Sequence, residues 1–264
     1  MIAHLNQIPT EANIRKKLRR IIFGKNVWCP HCRSRRVYCS EGRYRCTRCR
    51  KPFTLFSHTW LKGTKLSLRT LWSLLWCWTQ RVPVLQTMKL CHMSEPTVRF
   101  WFRAFRLQLP LQEPILNGVV QMDEAYFKHH ALVLAKQEGT RNIAYQTIVG
   151  RSVGKTEAAN FLFQYIAPHT RLQTDGGGMY RGIDAWWQVD HHTDIHKRWE
   201  FELTSEIEGM FGNLRTFIRR MYHHVTPDYL PELVREFCVR FSSPEIFDSP
   251  HSYLKKTLTF VPFA

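Results

Sequence analysis

The stretch Val119-Val120-Gln121-Met122-Asp123-Glu124-Ala125-Tyr126-Phe127 decides the fold. It follows a break containing Pro110, Pro114 and Gly118, and its apolar, β-branched opening reads as a buried strand. Asp123 stands where that strand would emerge. A carboxylate there is an awkward core residue but a good ligand for a hard cation. Two later acids answer it: Asp175 in Leu172-Gln173-Thr174-Asp175-Gly176, and Glu208 in Ser205-Glu206-Ile207-Glu208-Gly209.

Downstream, Ala131 to Ala135 and Asn142 to Gly150 read as strands, separated by the turn-like Lys136-Gln137-Glu138-Gly139-Thr140. Thr156 to Ile166 has helical apolar spacing, and Arg171 to Thr174 returns as a strand ending at Asp175. Three meandering strands, a helix and a fourth strand with an acid at its exit follow the RNase H-like order. The expected fold class is α/β, an RNase H-like mixed sheet with flanking helices.

Ser205 to Met221 reads as a helix with Ile207, Met210, Phe211, Leu214, Ile218 and Met221 on its buried face. Glu208 lies beside that stripe. Gly212 would let a backbone approach on the same side, and Arg215 could hold a phosphate. Ser205-x-x-Glu208 also has the spacing of a capping box, in which Glu208 would only serve the helix start. Glu206 is the nearest competitor for a ligand role, but lies farther round the helix.

Other segments carry weaker signals. Gly150 and Gly154 enclose three residues where a phosphate loop needs four, so the segment reads as a turn before a helix and no nucleotide site is assigned. His191, His192 and His196, with Asp190 and Asp194, could form a metal cluster or simply be surface-loop residues. Thr226 and Pro227 open a last helix with Leu230, Leu233, Val234, Phe237, Cys238 and Phe241 on its core side. From Ser242 onward the chain is broken by prolines and carries little signal.

Upstream, charge takes over. Through Pro110 there are 22 Lys and Arg against three acids, Glu11, Glu41 and Glu95, a balance of +19; the remainder carries −2. Such asymmetry points to a phosphate backbone as partner. A hydrophobic content of 44% allows a real core, yet no apolar run reaches the ~18 residues of a membrane span. Met1 to Thr10 lacks the apolar middle of a signal peptide, so a cytoplasmic protein without membrane attachment is expected.

Eight cysteines in such a chain argue against a disulfide framework. Four form Cys29-Pro30-His31-Cys32 and Cys46-Thr47-Arg48-Cys49, with 13 residues between the pairs. Two such knuckles suit one tetrahedral Zn2+ in a zinc ribbon. A redox dithiol would need the motif to open a helix, and Arg33, Ser34, Arg35 and Arg36 lead into a short strand instead. Cys39 is a bystander. Arg33, Arg35, Arg36, Arg43, Arg45, Arg48 and Arg50 make the ribbon a DNA-contacting candidate.

Ahead of it, Ile14 to Ile22 suits a short basic amphipathic helix. Behind it, Leu66 to Leu107 reads as three helices, the last capped by Ser94. Arg99, Arg103 and Arg106 fall on one face of that helix, as in a helix-turn-helix reader of the major groove, or as a solvated charged face. The expected division is 1–24 basic helix or arm, 25–56 zinc ribbon, 57–110 helix-turn-helix-like unit, 111–117 linker, 118–222 RNase H-like domain, and 223–264 C-terminal helix and tail.

Asp123-Glu124-Ala125-Tyr126-Phe127, Thr174-Asp175-Gly176, Ile207-Glu208-Gly209, Met221-Tyr222-His223-His224-Val225 and Glu236-Phe237-Cys238-Val239-Arg240-Phe241 together resemble the motifs of ISXO2-like, Merlin-related insertion-sequence transposases of the DDE superfamily. The resemblance spans nearly the whole chain. It departs at Ser205, where many members carry Asn, at Arg215, usually Lys, and at Lys128-His129-His130, which replaces Gly-Gly. No acid is lost.

The resemblance implies a bacterial, nucleoid-associated DNA transposase acting on double-stranded DNA, both its element's terminal inverted repeats and target. Asp123, Asp175 and Glu208 would be the catalytic acids and would hold two Mg2+ (or Mn2+) ions, hard cations suited to oxygen ligands. Water, then a DNA 3′-hydroxyl, would attack in line. Pairing two ends implies at least a homodimer. The alternatives are a catalytically idle DNA-binding regulator and a nuclease without strand transfer.

Overall fold

The computed structural model describes residues 8–150, 152–194, 203–223 and 225–258. Contacts divide the chain into two units, Met1–Gln108 with Glu245–Ala264, and Leu109–Pro244. Among the described residues no helix is long and apolar enough to cross a membrane.

The first unit opens with α1 (Glu11–Phe23), capped by the Thr10 hydroxyl on the Asn13 amide. Ile14, Leu18 and Ile22 are buried, and the basic residues between them face solvent. The ribbon sheet follows: β1 (Val37–Ser40), β2 (Arg43–Cys46) and β3 (Pro52–Phe53), all antiparallel. Glu41 and Gly42 turn the first hairpin with φ of 51° and 76°, the left-handed pair that a two-residue turn requires. Phe23, Tyr44 and Phe53 form an aromatic seam between α1 and the ribbon, Tyr44 stacked on Phe53 at 5.3 Å.

Three helices come next, α2 (Leu68–Thr79), α3 (Val84–Cys91) and α4 (Glu95–Leu107). The start of α2 is held from far away in sequence: the Glu11 carboxylate accepts from the Leu68 and Arg69 amides, each at 3.0 Å. Trp78 is the centre of their core, with the rings of Phe105, Phe247 and Tyr253 at 5.7, 5.4 and 5.2 Å. The last two belong to the Pro-broken C-terminal stretch. Its helix α8 (Pro250–Thr257) buries Tyr253, whose hydroxyl donates to the Phe105 carbonyl at 2.7 Å. The stretch read from sequence as uninformative is therefore core of the first unit, and the chain divides at Pro244/Glu245 within the segment grouped as 223–264.

The second unit is built on a five-stranded sheet ordered β6-β5-β4-β7-β8: β4 (Val119–Phe127), β5 (His130–Gln137), β6 (Ile143–Val149), β7 (Arg171–Asp175) and β8 (Asp190–Asp194). The first three strands meander antiparallel, and β7 and β8 join parallel to β4. This is the RNase H-like arrangement. Two details differ from the sequence reading. β5 runs on through Lys136, which lies in the expected turn, and β8 occupies the His-rich stretch. Asp-His-His-Thr-Asp has no apolar face to signal a strand; its order comes from backbone pairing with β7 along the sheet edge.

α5 (Lys155–Tyr165) covers one face of the sheet, where Val120, Met122, Val133 and Leu172 pack with Phe161 and Leu162. Its first amide, on Gly154, is met by Glu157 at 2.9 Å, so the segment with two spaced glycines is a helix start, as read. Leu116, within the expected linker, bridges to Ile166.

α6 (Ser205–Tyr222) and α7 (Leu230–Ser242) complete the unit. α6 buries Ile207, Met210, Phe211, Leu214, Phe217 and Met221, each contributing roughly 1.5–3 kcal/mol when fully buried. α7 meets it through charge: Glu236, 0% exposed, accepts from Arg240 at 2.9 Å and from the Tyr222 hydroxyl at 2.6 Å. Three residues of the resemblance motifs thus form one buried linkage between the two helices.

Candidate functional site

β4 and β7 run parallel with Gln121 level with Gln173, so two residues further along Asp123 comes level with Asp175. Strand alternation places both on the same face, opposite Val120 and Leu172. Each carboxylate is held by its own backbone: Asp123 Oδ1 accepts from the Glu124 amide at 2.8 Å, and Asp175 Oδ1 from the Gly177 amide at 2.9 Å. A Cβ on Gly177 would lie 2.8 Å from that same oxygen. A side chain at this position would push the Asp175 carboxylate aside.

A third carboxylate reaches the pair. Asp123, Glu124 and Asp175 each offer an oxygen, and these oxygens lie within 4.8 Å of one another. The sequence reading missed Glu124 because alternation sends it to the other face of β4. Tyr180, from the single turn Gly178–Tyr180 after β7, donates to Glu124 Oε2 at 2.6 Å, and Tyr126 reaches Oε1 at 3.3 Å. Burial raises the Glu124 carboxyl. Burial also pushes Asp123 up to about 7, reinforced by the charges of Glu124, Asp175 and Glu208. Crowded, desolvated carboxylates of this kind suit a divalent cation, which relieves their repulsion with the hard oxygen donors it prefers.

Glu208 is outside the 4.8 Å group but within electrostatic reach of Asp123. Its helix is docked by the sheet. Gln121, two residues before Asp123 and 4% exposed, accepts from the Glu206 and Ile207 amides at 3.0 and 3.1 Å. Lys136, cross-strand from Gln121, pairs with the Glu206 carboxylate. The two rival glutamates thus differ: Glu206 is engaged by Lys136, and the charge of Glu208 is felt at Asp123. The N-cap of α6 is Thr204, which puts Glu208 at the fourth helical position, one beyond where a capping box needs it. In sequence Gln121 is only a polar residue in a buried strand, and Lys136 reads as part of a turn.

The histidine cluster does not form among the described residues. His191 accepts or donates with the buried Thr174 hydroxyl at 2.9 Å, and burial lowers its pKa. His192 Nε2 lies 2.9 Å from Asp190. His196 lies outside the described residues.

In the first unit Cys29, Cys32, Cys46 and Cys49 converge, their sulfurs all within 4.8 Å. The Cys29–Cys49 and Cys32–Cys46 separations are 3.6 and 3.5 Å, too long for disulfides. Four sulfurs bound tetrahedrally at ~2.3 Å would stand ~3.8 Å apart, so the cradle fits Zn2+ closely. Amides of Cys49 and Arg48 lower the Cys46 thiol to about 6, favouring the thiolate that zinc binds. Cys39 is exposed and apart.

The ribbon arginines Arg33, Arg35, Arg36, Arg43, Arg45, Arg48 and Arg50 are all exposed, as is Arg215 on α6. The basic stripe on α4 needs correction. Arg103 is exposed, but Arg99 is half-buried and bonded to Glu95 at 2.7 Å, and Arg106 is 4% exposed. Arg106 lies seven residues on from Arg99, and the 3.6-residue turn carries it toward the core side beside Phe102 and Phe105. It cannot contact DNA there.

Residues 128–242 match the ISXO2-like transposase domain family, and residues 9–52 match the transposase zinc-ribbon domain family. The first match begins five residues after Asp123. Among solved structures, a chain of the simian T-cell lymphotropic virus intasome in complex with PP2A regulatory subunit B56 gamma is 14% identical, with a TM-score of 0.35, covering 64% of this chain and 67% of that one. The catalytic core domain of BIV integrase is 14% identical with a TM-score of 0.33, covering 47% and 82%. The HTLV-2 integrase catalytic core in complex with magnesium is 14% identical with a TM-score of 0.32, covering 49% and 88%. No curated protein matches the chain. The fold class follows from the strand order itself, and the two family matches fall in sequence on the ribbon and on the sheet with its helices. The chain therefore carries a region matching the ISXO2-like transposase domain behind one matching a transposase zinc ribbon.

Proposed function

We propose that the protein binds the terminal inverted repeats of its element and catalyses metal-dependent cleavage and transfer of DNA strands, with Asp123, Asp175 and Glu208 as the catalytic acids. The observation that supports this reading most is the convergence of Asp123 and Asp175 on adjacent parallel strands, with the helix of Glu208 docked through Gln121 beside them. These acids would hold Mg2+ or Mn2+. Bound there, the cation supplies Lewis-acid stabilisation of the attacking and leaving oxygens of an in-line displacement. Asp123, in the middle of β4, and Asp175, at the end of β7, fix the scissile phosphate's cation site. Glu124, anchored by Tyr180, keeps the site negative and positions Asp123. Arg215, two turns beyond Glu208 on α6, neutralises a neighbouring phosphate of the strand.

Ribbon arginines and Arg103 carry the binding of duplex DNA, and one structural Zn2+ held by Cys29, Cys32, Cys46 and Cys49 keeps their platform folded. Joining two ends calls for at least a homodimer on DNA. The test uses purified chain, Mg2+ or Mn2+ and labelled DNA carrying the element's end, with Glu208→Gln, Glu206→Gln and Glu124→Gln alongside. Cleavage and joining lost with Glu208→Gln and kept with Glu206→Gln are the expected result. Loss with Glu124→Gln alone would move the third ligand to Glu124, and binding without cleavage in the wild type would leave a DNA-binding regulator.

A further inference from the structure

Beyond the end of β4, α6 and the start of α7 enclose a cavity of about 300 Å³. Phe127, Ile218, Leu230 and Leu233 give it an apolar lining, and Lys128, Arg215 and Arg219 bring three cations to it. Arg215 and Arg219 lie one helical turn apart and so point the same way. Among the described residues no carboxylate pairs with these three cations.

The cavity is separate from the acids. Seven helical residues carry the chain about 10 Å from Glu208 to Arg215, and four strand residues about 13 Å from Asp123 to Phe127. Those spans set the cavity a short run of nucleotides along a strand from the acids.

Its chemistry is mixed in an informative way. An anion alone needs no apolar lining with an aromatic ring. An apolar ligand alone needs no cluster of uncompensated cations. A nucleotide has both parts, a flat ring and an anionic phosphate, and a duplex is too large to enter. Cavities of this size hold small molecules, and an aromatic side chain accepts any base by stacking.

We infer that this cavity takes one unpaired nucleotide of the DNA strand that lies at the acids, its base against Phe127 and its phosphate on Arg215 and Arg219. The inference rests on the transposase reading. It gives the strand a fixed register at the site, because a base seated a few nucleotides away sets which phosphate reaches Asp123.

The experiment compares two duplexes with a short single-stranded 3′ tail, one of thymidines and one of abasic nucleotides. Binding to the full chain is followed by fluorescence anisotropy without divalent ions, so that no strand is cut. The thymidine tail is expected to bind about tenfold more tightly than the abasic tail. Thr226→Phe, which fills the cavity from its rim, should erase that ratio. Arg219→Ala should weaken both tails by a similar factor and keep the ratio, since it removes a phosphate contact. Equal affinity of the wild-type chain for the two tails, with the blunt duplex still bound, overturns the inference and leaves the transposase reading standing. No binding to any of the three DNAs overturns both.

Discussion

The cysteine cradle and the acid centre are both sets of metal ligands, and they are assembled in opposite ways. The cysteines come from two turns of one small sheet, near each other in sequence, with the Phe23, Tyr44 and Phe53 seam beside them. The acids come from two strands and a helix, and those strands are already bonded along a sheet whose core includes Val120, Met122, Val133 and Leu172. In the ribbon the metal completes the fold; at the acids the fold is complete and invites the metal. Removing metal should therefore unfold one and leave the other standing.

The largest effects should separate the two regions completely. Asp123→Asn or Asp175→Asn is expected to lower strand cleavage by about 10³-fold or more, with zinc content by atomic absorption unchanged. Cys46→Ser should release zinc and lose duplex binding at the ribbon, because structural zinc supplies the folding free energy of such modules. The comparison breaks if chelation of zinc also unfolds the second unit, or if Asp123→Asn empties the ribbon.

Next in size is the buried linkage of α6 and α7. Glu236→Ala leaves Arg240 charged and buried, and should lower stability in denaturant titrations by about 3–5 kcal/mol. A smaller effect is expected from Gln121→Ala, which strips the acceptor from two buried amides at the start of α6. It should destabilise by about 1–3 kcal/mol and reduce kcat more than DNA affinity through displacement of Glu208, with partial rescue by Gln121→Glu, which still accepts both bonds.

The smallest effect is on pH. Asp123 is held protonated up to about 7 in the metal-free fold, against 3.8 unhindered. Its contribution to stability is then full below pH 4 and is lost as pH rises through 7. Thermal melts in chelator should fall by a few degrees from pH 5 to pH 8 on this account. Asp123→Asn should flatten that slope, and excess Mg2+ at pH 8 should reverse it in the wild type only.

The same contrast explains what could be read from residues alone. The cysteines announce their role by spacing, and Asp123 and Asp175 by following apolar strand residues, although β4 runs on four residues past Asp123 instead of ending there. What escaped are contacts between distant segments. Gln121 looks like a flaw in a buried strand and Lys136 like part of a turn until α6 is seen resting on them. Strand alternation turns Glu124 away from Asp123, yet its carboxylate, bonded to Tyr180, joins Asp123 and Asp175. Arg106 failed for a simpler reason: three arginines spaced for one helix face leave the third turned toward the core. β8 was invisible because its order comes from its backbone.

Tyr253 has a bearing on how the protein is made. The ring that fills the space beside Trp78 and Phe105 is added only after every residue of the sheet unit has been joined to the chain. A message cut short, or a reading frame lost anywhere in residues 109–244, yields a chain whose basic half lacks the Phe247 and Tyr253 rings that pack on Trp78. The order of translation thus ties completion of the charged half of the molecule to prior synthesis of the sheet half.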